Sequence, residues 1–288
     1  MALRDKISKP SFKYGLAFFL LLLFFAALRF PYSDLKLWAL SAAGKKAGAE
    51  ISASEISFLL PIGMEFRDLK FSGKVNGRRL RSPDFKLIGF RFKLLSIFSK
   101  EKRVGFYIEN GGKGEGTIGL AGTEARIIID LEDIDISGLG YADDLDVERG
   151  RVTLKADATL SRDALKSKGD IDLATKELML KGAAIFVPQL ASENLNIILK
   201  KEGSDLLVKS LNGNVEGIEI KGGGKIVLKQ DIANSVINMK LALDSSGSKN
   251  ESIVPLLSMV SGGEDSLSVD ISGTLMRPKT LINGKKVF

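Results

Sequence analysis

The stretch ISASEISFLLPIGMEFRDLKFSGKVNG, residues 51–77, decides the fold of this chain. Apolar and polar residues alternate on both sides of a turn at Pro61 and Gly63, as in strands with one buried face. The pair Asn76-Gly77 is a strong hairpin signal. The same pair recurs at residues 110–111, 212–213 and 283–284. Four such pairs predict a series of antiparallel hairpins.

A second pattern is the phrase Gly-x-(Ile/Val)-x-Leu, which predicts a turn glycine leading into a strand with one apolar face. It occurs at residues 116–120, 150–154, 169–173 and 224–228. Its irregular spacing excludes a fixed-period solenoid. We interpret Gly222-Gly223-Gly224 as a turn, because the run lacks the spacing of a phosphate-binding loop. Further strands are predicted at residues 125–131, 178–187, 194–200, 205–209, 215–220, 235–243 and 267–275.

Helices are scarce beyond residue 50. One short amphipathic helix is predicted at residues 251–261, where Ile253, Leu256, Leu257 and Val260 recur at helical spacing. One short helix cannot cover the apolar face of a long antiparallel sheet. The sheet must therefore curl onto itself, pack as a sandwich or leave a groove for something apolar.

A basic segment, residues 66–103, holds twelve Lys or Arg and three acids, a net charge of +9. Within it, residues 90–94 alternate apolar and basic, which predicts a strand with an apolar and a cationic face. Contact with anionic lipid headgroups, a solvated sheet face and an acidic partner protein remain open, whereas an exported domain meets no nucleic acid. The candidate headgroup contacts are Arg78, Arg79, Arg81, Arg91 and Lys93. The candidate groove-lining residues are Phe90, Phe92, Leu94, Ile118, Val152, Ile171 and Ile226.

Residues 130–148 hold eight acids and no base. Asp133, Asp135 and Asp144 imitate a calcium-binding loop, but Gly140 stands at its eighth position and an Asp closes it instead of a Glu. A strand edge protected by charge explains the same residues equally well. Whether this segment binds calcium stays open, and we predict no metal site.

The 288-residue chain has no cysteine and no histidine. A disulfide framework, a cysteine nucleophile, a zinc-thiolate site and a Ser-His-Asp triad are therefore excluded. No pattern singles out a pair of carboxylates for acid-base chemistry among the 35 acids. We predict a protein that is not an enzyme, with no catalytic residue and no cofactor.

Residues 14–28 form an uncharged apolar run of fifteen residues that follows four Lys or Arg. Interfacial residues extend the run to about nineteen, close to the ~20 residues of a membrane-spanning helix. A cleaved signal peptide is the competing interpretation, but large residues stand where cleavage requires small ones. We predict an uncleaved anchor that includes Tyr14, Leu20, Phe24, Leu28 and Tyr32.

This anchor sets the predicted organisation. Residues 1–13 are a cytoplasmic stub, 14–32 the transmembrane signal anchor, 33–49 a juxtamembrane helix, and 50–288 a β-rich domain exported to the periplasm. The basic stub favours retention of the N-terminus in the cytoplasm. In a bacterium this is a single-pass protein of the inner membrane.

The order of several short phrases resembles the type II secretion system protein N family (GspN) and, more widely, the AsmA-like group. The phrases are AGAEI (47–51), PIGM (61–64), FRDLKF (66–71), IDISGL (134–139) and ISGTLMRP (271–278). They are scattered over most of residues 30–280.

The resemblance implies a non-enzymatic accessory component of the type II protein secretion apparatus, which contacts other subunits through its periplasmic domain. The AsmA-like resemblance implies a sheet curled like a taco around an apolar groove, with few short helices, that binds or transfers phospholipid. The family supplies no catalytic residues. The resemblance therefore predicts two alternative functions, protein transport and lipid binding.

Overall fold

The computed structural model describes residues 40–41, 44–45, 49–59, 63–75, 78–93, 96, 98–141, 145–161, 163–184, 187–231, 234–248, 263 and 266–286. The chain divides into two compact units, Met1–Lys46 and Ala47–Phe288. The described residues of the first unit are helical and fall within the predicted helix at 33–49. The predicted stub and anchor lie outside the described residues. Across the ranges given above, no helix has the length and apolar character to cross a membrane.

The second unit is one long antiparallel sheet with eighteen strands in its described part. The strands are β1 (Ala49–Ser52), β2 (Glu55–Leu59), β3 (Gly63–Val75), β4 (Arg78–Arg81), β5 (Phe85–Phe92), β6 (Lys102–Asn110), β7 (Gly112–Ala121), β8 (Glu124–Asp135), β9 (Gly140–Tyr141), β10 (Leu145–Ser161), β11 (Lys168–Ala184), β12 (Val187–Glu202), β13 (Asp205–Val215), β14 (Ile218–Val227), β15 (Val236–Asp244), β16 (Ser266–Thr274), β17 (Arg277–Ile282) and β18 (Lys285–Lys286). A short 3₁₀ turn, Ala164–Lys166, connects β10 to β11. The predicted mainly β fold with an antiparallel sheet is confirmed.

The sheet is a meander in which most strands pair with their neighbours in sequence. From β10 to β18 each strand pairs with the next. At the other edge, β1 and β2 pair with one side of β3, whereas β4 and β5 pair with its other side. Short connections and period-two alternation explain this order, because antiparallel neighbours need only tight turns.

The β6–β7 hairpin is inserted between β5 and β8 along only part of the sheet. In that part of the sheet, three strands (β6, β7 and β8) lie between β5 and β10. Further along the strands, only β9 lies between β4 and β10 among the described strands. At ~4.8 Å per strand, these two paths across the sheet are about 19 and 10 Å wide. Asn110, at the hairpin tip, is buried and donates a 2.6 Å hydrogen bond to the carbonyl oxygen of Asp135.

One face of the sheet is apolar across nearly all of its strands. Following the cross-strand partners from β2 to β17 gives one row that contains only Ile, Phe, Leu, Val and Gly. The row is Ile56, Phe66, Ile88, Ile108, Gly114, Leu131, Leu154, Leu173, Ile197, Leu211, Gly222, Leu241, Val269 and Ile282. We call this surface the apolar face.

Few side chains of the sheet are fully buried. The buried apolar residues of the described chain are Ile56, Phe66, Ile88, Ile134, Val147, Val208, Ile218 and Leu267. Most other residues of the apolar face are only half-buried. All described strands belong to one sheet, so no second described sheet covers this face.

Three of the four Asn-Gly pairs lie where two paired strands connect, as predicted: 76–77 between β3 and β4, 110–111 at the end of β6 before β7, and 283–284 between β17 and β18. The prediction for Asn212-Gly213 is wrong, because both residues lie inside β13. The turn comes later, where the Asn214 side chain accepts a hydrogen bond from the Gly217 N–H. This turn also interrupts the strand predicted at 215–220. The helix predicted at 251–261 lies outside the described residues.

The glycines of the Gly-x-(Ile/Val)-x-Leu phrases lie inside strands, which corrects their interpretation as turn residues. Gly116, Gly150, Gly169 and Gly224 belong to β7, β10, β11 and β14. Gly222 and Gly223 are likewise part of β14. At Gly116 the reason is space, since a Cβ atom there would strike the ring of Phe106.

Candidate functional site

The residues predicted to line a groove are brought together on the apolar face. Phe90 and Ile171 lie in one cross-strand row, and Phe92, Ile118 and Ile226 lie in the next. Val152 lies on the same face, in the row that joins Ile134 to Leu267. Leu94 is outside the described residues. Six of the seven candidates therefore share one surface.

Aromatic rings and glycines shape this surface. The rings of Phe66 and Phe90 pack edge to face, with centroids 6.2 Å apart and an interplanar angle of 77°. Side chains of Phe106 and Leu131 fill the space where Gly116 and Gly114 would carry a Cβ atom. Leu241 does the same at Gly222. These glycines therefore leave room for large apolar side chains of the neighbouring strands.

The apolar face is accessible to solvent at one end of the strands. Phe92 is 52% exposed and Leu120 is 51% exposed. In the row from Ile56 to Ile282, three residues (Ile56, Phe66 and Ile88) are buried and the others are half-buried. Burial of the remaining apolar surface would stabilise the protein by about 25 cal/mol per Å². The row from β2 to β17 is about 60 Å long at ~4.8 Å per strand. This extended surface is the candidate functional site.

The opposite face of the sheet is charged and held by ion pairs between strands. Asp133 accepts hydrogen bonds from Arg151 at 3.0 Å and from Lys176 at 3.3 Å. These bonds hold the pKa of Asp133 below its ordinary value. Arg126 pairs with Asp157 at 2.9 Å in the same way. Alternating strands with one charged and one apolar face produce this division.

A cavity of about 900 Å³ opens on the charged face. Its lining includes Tyr107, Glu109, Lys113, Glu115, Asp130, Glu132, Asp133, Thr153, Lys155 and Lys176. The lining mixes both signs of charge, and Asp133 is neutralised by its two cations. Lys155 lies 3.9 Å from Asp130. Asp130, Asp133, Lys155 and Lys176 of the lining therefore take part in ion pairs between strands.

Tyr107 is the most perturbed titratable side chain at this cavity. Its hydroxyl donates to Glu65, its ring fills the space above Gly89, and the Arg91 guanidinium lies 5.5 Å from the ring centroid. Burial, followed by the hydrogen bond to Glu65, raises the pKa of Tyr107 to about 12. The sequence signal for this cluster is a glycine in the middle of a strand, which marks close approach by a neighbour.

Of the predicted headgroup contacts, the structure describes the side chains of Arg81, Arg91 and Lys93, and these have different surroundings. Arg81 pairs with Asp146 at 2.5 Å, and Arg91 lies over Tyr107. Lys93, the residue after β5, donates a 3.5 Å hydrogen bond to the hydroxyl of Thr117. Arg78 and Arg79 belong to β4, and their side chains are outside the described atoms. Within the basic segment, Arg67, Lys70, Arg81 and Arg103 form ion pairs with carboxylates.

The acidic segment is tied into the sheet by hydrogen bonds. Asp133 binds Arg151 and Lys176, while Asp135 accepts a 2.8 Å hydrogen bond from the Ser137 N–H. Asp143 and Asp144 lie outside the described residues. Among the side chains that are described, no group of three or more potential ligands is arranged to hold a metal ion.

Comparison with protein-family models, curated proteins and solved structures gives no significant match for this chain.

Proposed function

We propose that this protein is a non-enzymatic binding module, anchored in a bacterial inner membrane by residues 14–32, whose working surface is the apolar face of its periplasmic sheet. The observation that supports this function is the unbroken apolar row from Ile56 to Ile282, half-covered by the described chain. A surface of this kind suits ligands that are themselves long and apolar, because burial on both sides excludes water.

We further propose that the sheet curls around this surface to form a groove. The inserted β6–β7 hairpin supports this, since two paths of unequal width between the same strands force the sheet out of plane. Sheets also twist with a fixed hand, which adds curvature over many strands. Acyl chains of phospholipids are the occupants whose shape and chemistry fit such a groove.

Service in the type II secretion system is the second part of the proposal. It is supported by the resemblance to the protein N family, whose phrases at 66–71 and 271–278 fall in β3 and in the β16–β17 hairpin. In this role the apolar face contacts another secretion-system subunit or a lipid that the apparatus requires. A pair of variants tests lipid binding, and a deletion strain tests the secretion role.

Ile129 and Ile128 offer a matched test, because they are neighbours in β8 with opposite orientations. Ile129 lies on the apolar face, whereas Ile128 is 42% exposed on the charged face. Ile129→Glu places a carboxylate among apolar side chains and should abolish the binding of acyl chains. Ile128→Glu adds the same charge to a surface that already carries charges and should have little effect.

The measurement is native mass spectrometry of detergent-extracted full-length protein, with lipid analysis of the same sample. We expect stoichiometric phospholipid in the unmodified chain and in Ile128→Glu, and a loss of lipid in Ile129→Glu. Equal lipid in all three proteins contradicts lipid binding by this face. Each variant is also expressed in a deletion strain. Unchanged export of the secretion substrates after deletion contradicts the secretion role, whatever the lipid result.

A further inference from the structure

Four asparagine side chains lie side by side on the charged face of the sheet. Asn194 and Asn196 of β12 pair across the strands with Asn214 and Asn212 of β13. With ~4.8 Å between strands and ~6.6 Å between alternate residues, they cover a rectangle of about 5 by 7 Å. Asparagine is depleted in strands, so this grouping indicates a purpose other than strand stability. We call these four residues the amide block.

The side chains of the amide block are available to a ligand. Asn194, Asn196 and Asn212 are exposed, and their side chains form no hydrogen bond with another described residue. The Asn214 amide oxygen accepts a 2.9 Å hydrogen bond from the Gly217 N–H, which leaves its NH₂ group as a donor. Each unpaired amide offers two donors and one acceptor oxygen. The block therefore presents a dense array of neutral hydrogen-bonding groups.

The amide block forms the floor of a cavity of about 440 Å³. Two connections form one side of this cavity: the β13–β14 turn at Gly217, and Ser246 with Gly247 after β15. The Ser248 hydroxyl donates a 2.6 Å hydrogen bond to the Glu216 carbonyl oxygen, which joins the two connections. The structure therefore holds this side of the cavity in place next to the amide block.

The lining of the cavity contains acids and, among the described residues, no base. Glu219 is paired with Lys221 at 2.7 Å, just outside the lining. Hydrogen bonds from Ser246, one of them from its N–H at 3.0 Å, hold the pKa of Asp244 below its ordinary value. Glu193 is exposed and forms no ion pair within the described chain. Two unpaired carboxylates therefore disfavour an anionic ligand at this site.

The chemistry of the lining indicates a class of ligand. Its described side chains are all polar, with glycines between them, so it offers no pocket for the apolar group of a peptide or lipid. Sugar hydroxyl groups both donate and accept, and amides and carboxylates complement them. An acetamido group matches an asparagine amide in both directions, because its carbonyl accepts from NH₂ and its N–H donates to the amide oxygen.

We propose that the amide block and its cavity bind a neutral glycan that carries acetamido groups. The asparagine amides pair with the acetamido and hydroxyl groups, while Glu193 and Asp244 accept from further hydroxyl groups. The floor is the exposed surface of two strands, so the glycan lies along the sheet. Leu195, between two of the asparagines, belongs to the apolar face. Glycan binding therefore depends on neither the proposed anchor nor the proposed groove for acyl chains.

The test measures glycan binding to full-length protein by saturation-transfer difference NMR. The protein is placed in nanodiscs, because many detergents carry sugar headgroups. Chitohexaose supplies the acetamido groups, cellohexaose has hydroxyl groups in their place, and the deacetylated chitosan hexamer has amines. We expect chitohexaose to bind, and cellohexaose to bind at least about fivefold more weakly, the contribution of roughly one neutral hydrogen bond. The chitosan hexamer should bind no better than cellohexaose.

A double variant tests the amides themselves. Asn196→Ala with Asn212→Ala removes one cross-strand pair, and the affinity for chitohexaose should fall about 25-fold, since two neutral hydrogen bonds contribute roughly fivefold each. Asn238→Ala is the matched control, because Asn238 is exposed on the same face in β15 and lies outside the cavity. All three positions are exposed, so circular dichroism should show an unchanged sheet. Ile129→Glu, on the apolar face, should bind chitohexaose like the unmodified protein.

Three results would overturn the proposal: no binding of chitohexaose, equal affinities for chitohexaose and cellohexaose, or the same affinity in the double variant as in Asn238→Ala. Tighter binding of the chitosan hexamer that Glu193→Gln abolishes would also overturn it, because the carboxylates would then be recognising a cation. The same samples are analysed for phospholipid. Glycan binding without bound phospholipid supports the amide block and rejects the groove, whereas bound phospholipid without glycan binding rejects the amide block alone.

Discussion

Replacing Phe66 with alanine tests how deeply the apolar face is covered. Phe66 is 9% exposed and packs edge to face against Phe90, with Ile56 and Ile88 as its cross-strand partners. Truncation of a buried phenylalanine costs about 3–5 kcal/mol, which includes the lost aromatic pair. All the described strands belong to one sheet, so no second described sheet encloses the cavity that Phe66→Ala leaves. We therefore expect a loss near the lower limit, about 3 kcal/mol.

Phe92 is the matched control on the same face. Because it is 52% exposed, alanine removes about half as much buried surface and leaves no enclosed cavity. The expected loss is about 1 kcal/mol. The assay is urea unfolding of detergent-solubilised full-length protein, followed by far-ultraviolet circular dichroism. Equal losses for the two variants would refute the conclusion that the apolar face is covered at Phe66 and open at Phe92.

The same pair of variants also reports on the occupant. If acyl chains lie on the apolar face, the ligand contacts the open ring of Phe92 more than the buried ring of Phe66. The loss for Phe92→Ala should then be larger in lipid-loaded protein than in protein stripped of lipid, because a bound ligand stabilises the folded state only through the contacts it makes. The loss for Phe66→Ala should be the same in both preparations. A constant Phe92→Ala loss would refute occupation of this part of the face.

Three further predictions concern the charged face and the hairpin tip. Asn110→Ala leaves the Asp135 carbonyl without its donor and should cost about 1–2 kcal/mol in urea unfolding, whereas Asn212→Ala, at an exposed position in β13, should cost little. Gly89→Ala should displace the Tyr107 ring and lower the pKa of Tyr107 from about 12 towards 10, measured by ultraviolet titration with Tyr107→Phe as the reference. Since this pKa is raised by folding, the associated stability is complete below about pH 10 and is lost as the pH rises towards 12 in the unmodified protein. Lys176→Met should raise the pKa of Asp133 towards its ordinary value. The lowered pKa contributes stability above about pH 4 that is lost as the pH falls further, so the variant should show a smaller acid-dependent shift in its urea midpoint, and an unchanged shift would contradict the Lys176 contact.

Much of the fold could be predicted from local pattern. Alternation around residues 51–75 and three of the Asn-Gly pairs placed strands and hairpins where the structure has them, because side-chain period and turn chemistry are local properties. The six described groove candidates share a face for the same reason, since each was chosen as the apolar residue of an alternating strand. Their common surface required only that neighbouring strands pair in register.

The wrong predictions concern features that depend on how separate parts of the chain pack together, which a local sequence pattern does not specify. A glycine in a turn and a glycine under a neighbouring ring look identical in sequence, and Gly116 differs only because Phe106 lies across it. The pairing of β4 with β9 joins Leu80 to Tyr141, and no local pattern encodes a contact over that separation. Asp133, with a φ of 57°, marks a bulge in β8 where an acid takes a conformation that usually favours glycine. In sequence the acidic segment therefore resembles a calcium-binding loop, whereas in the structure Asp133 lies at a β-bulge in β8.

The inserted β6–β7 hairpin makes the number of strands in the sheet independent of the strand pairing between β3 and β10. Beyond β10 the sheet is a simple meander, to which a pair of strands can be added or removed without disturbing the branched region between β3 and β10. The number of strands after β10 and the strand pairing between β3 and β10 are therefore set by different parts of the chain. Related chains could thus differ in the number of strands after β10 while the region around Asn110 keeps the same strand pairing.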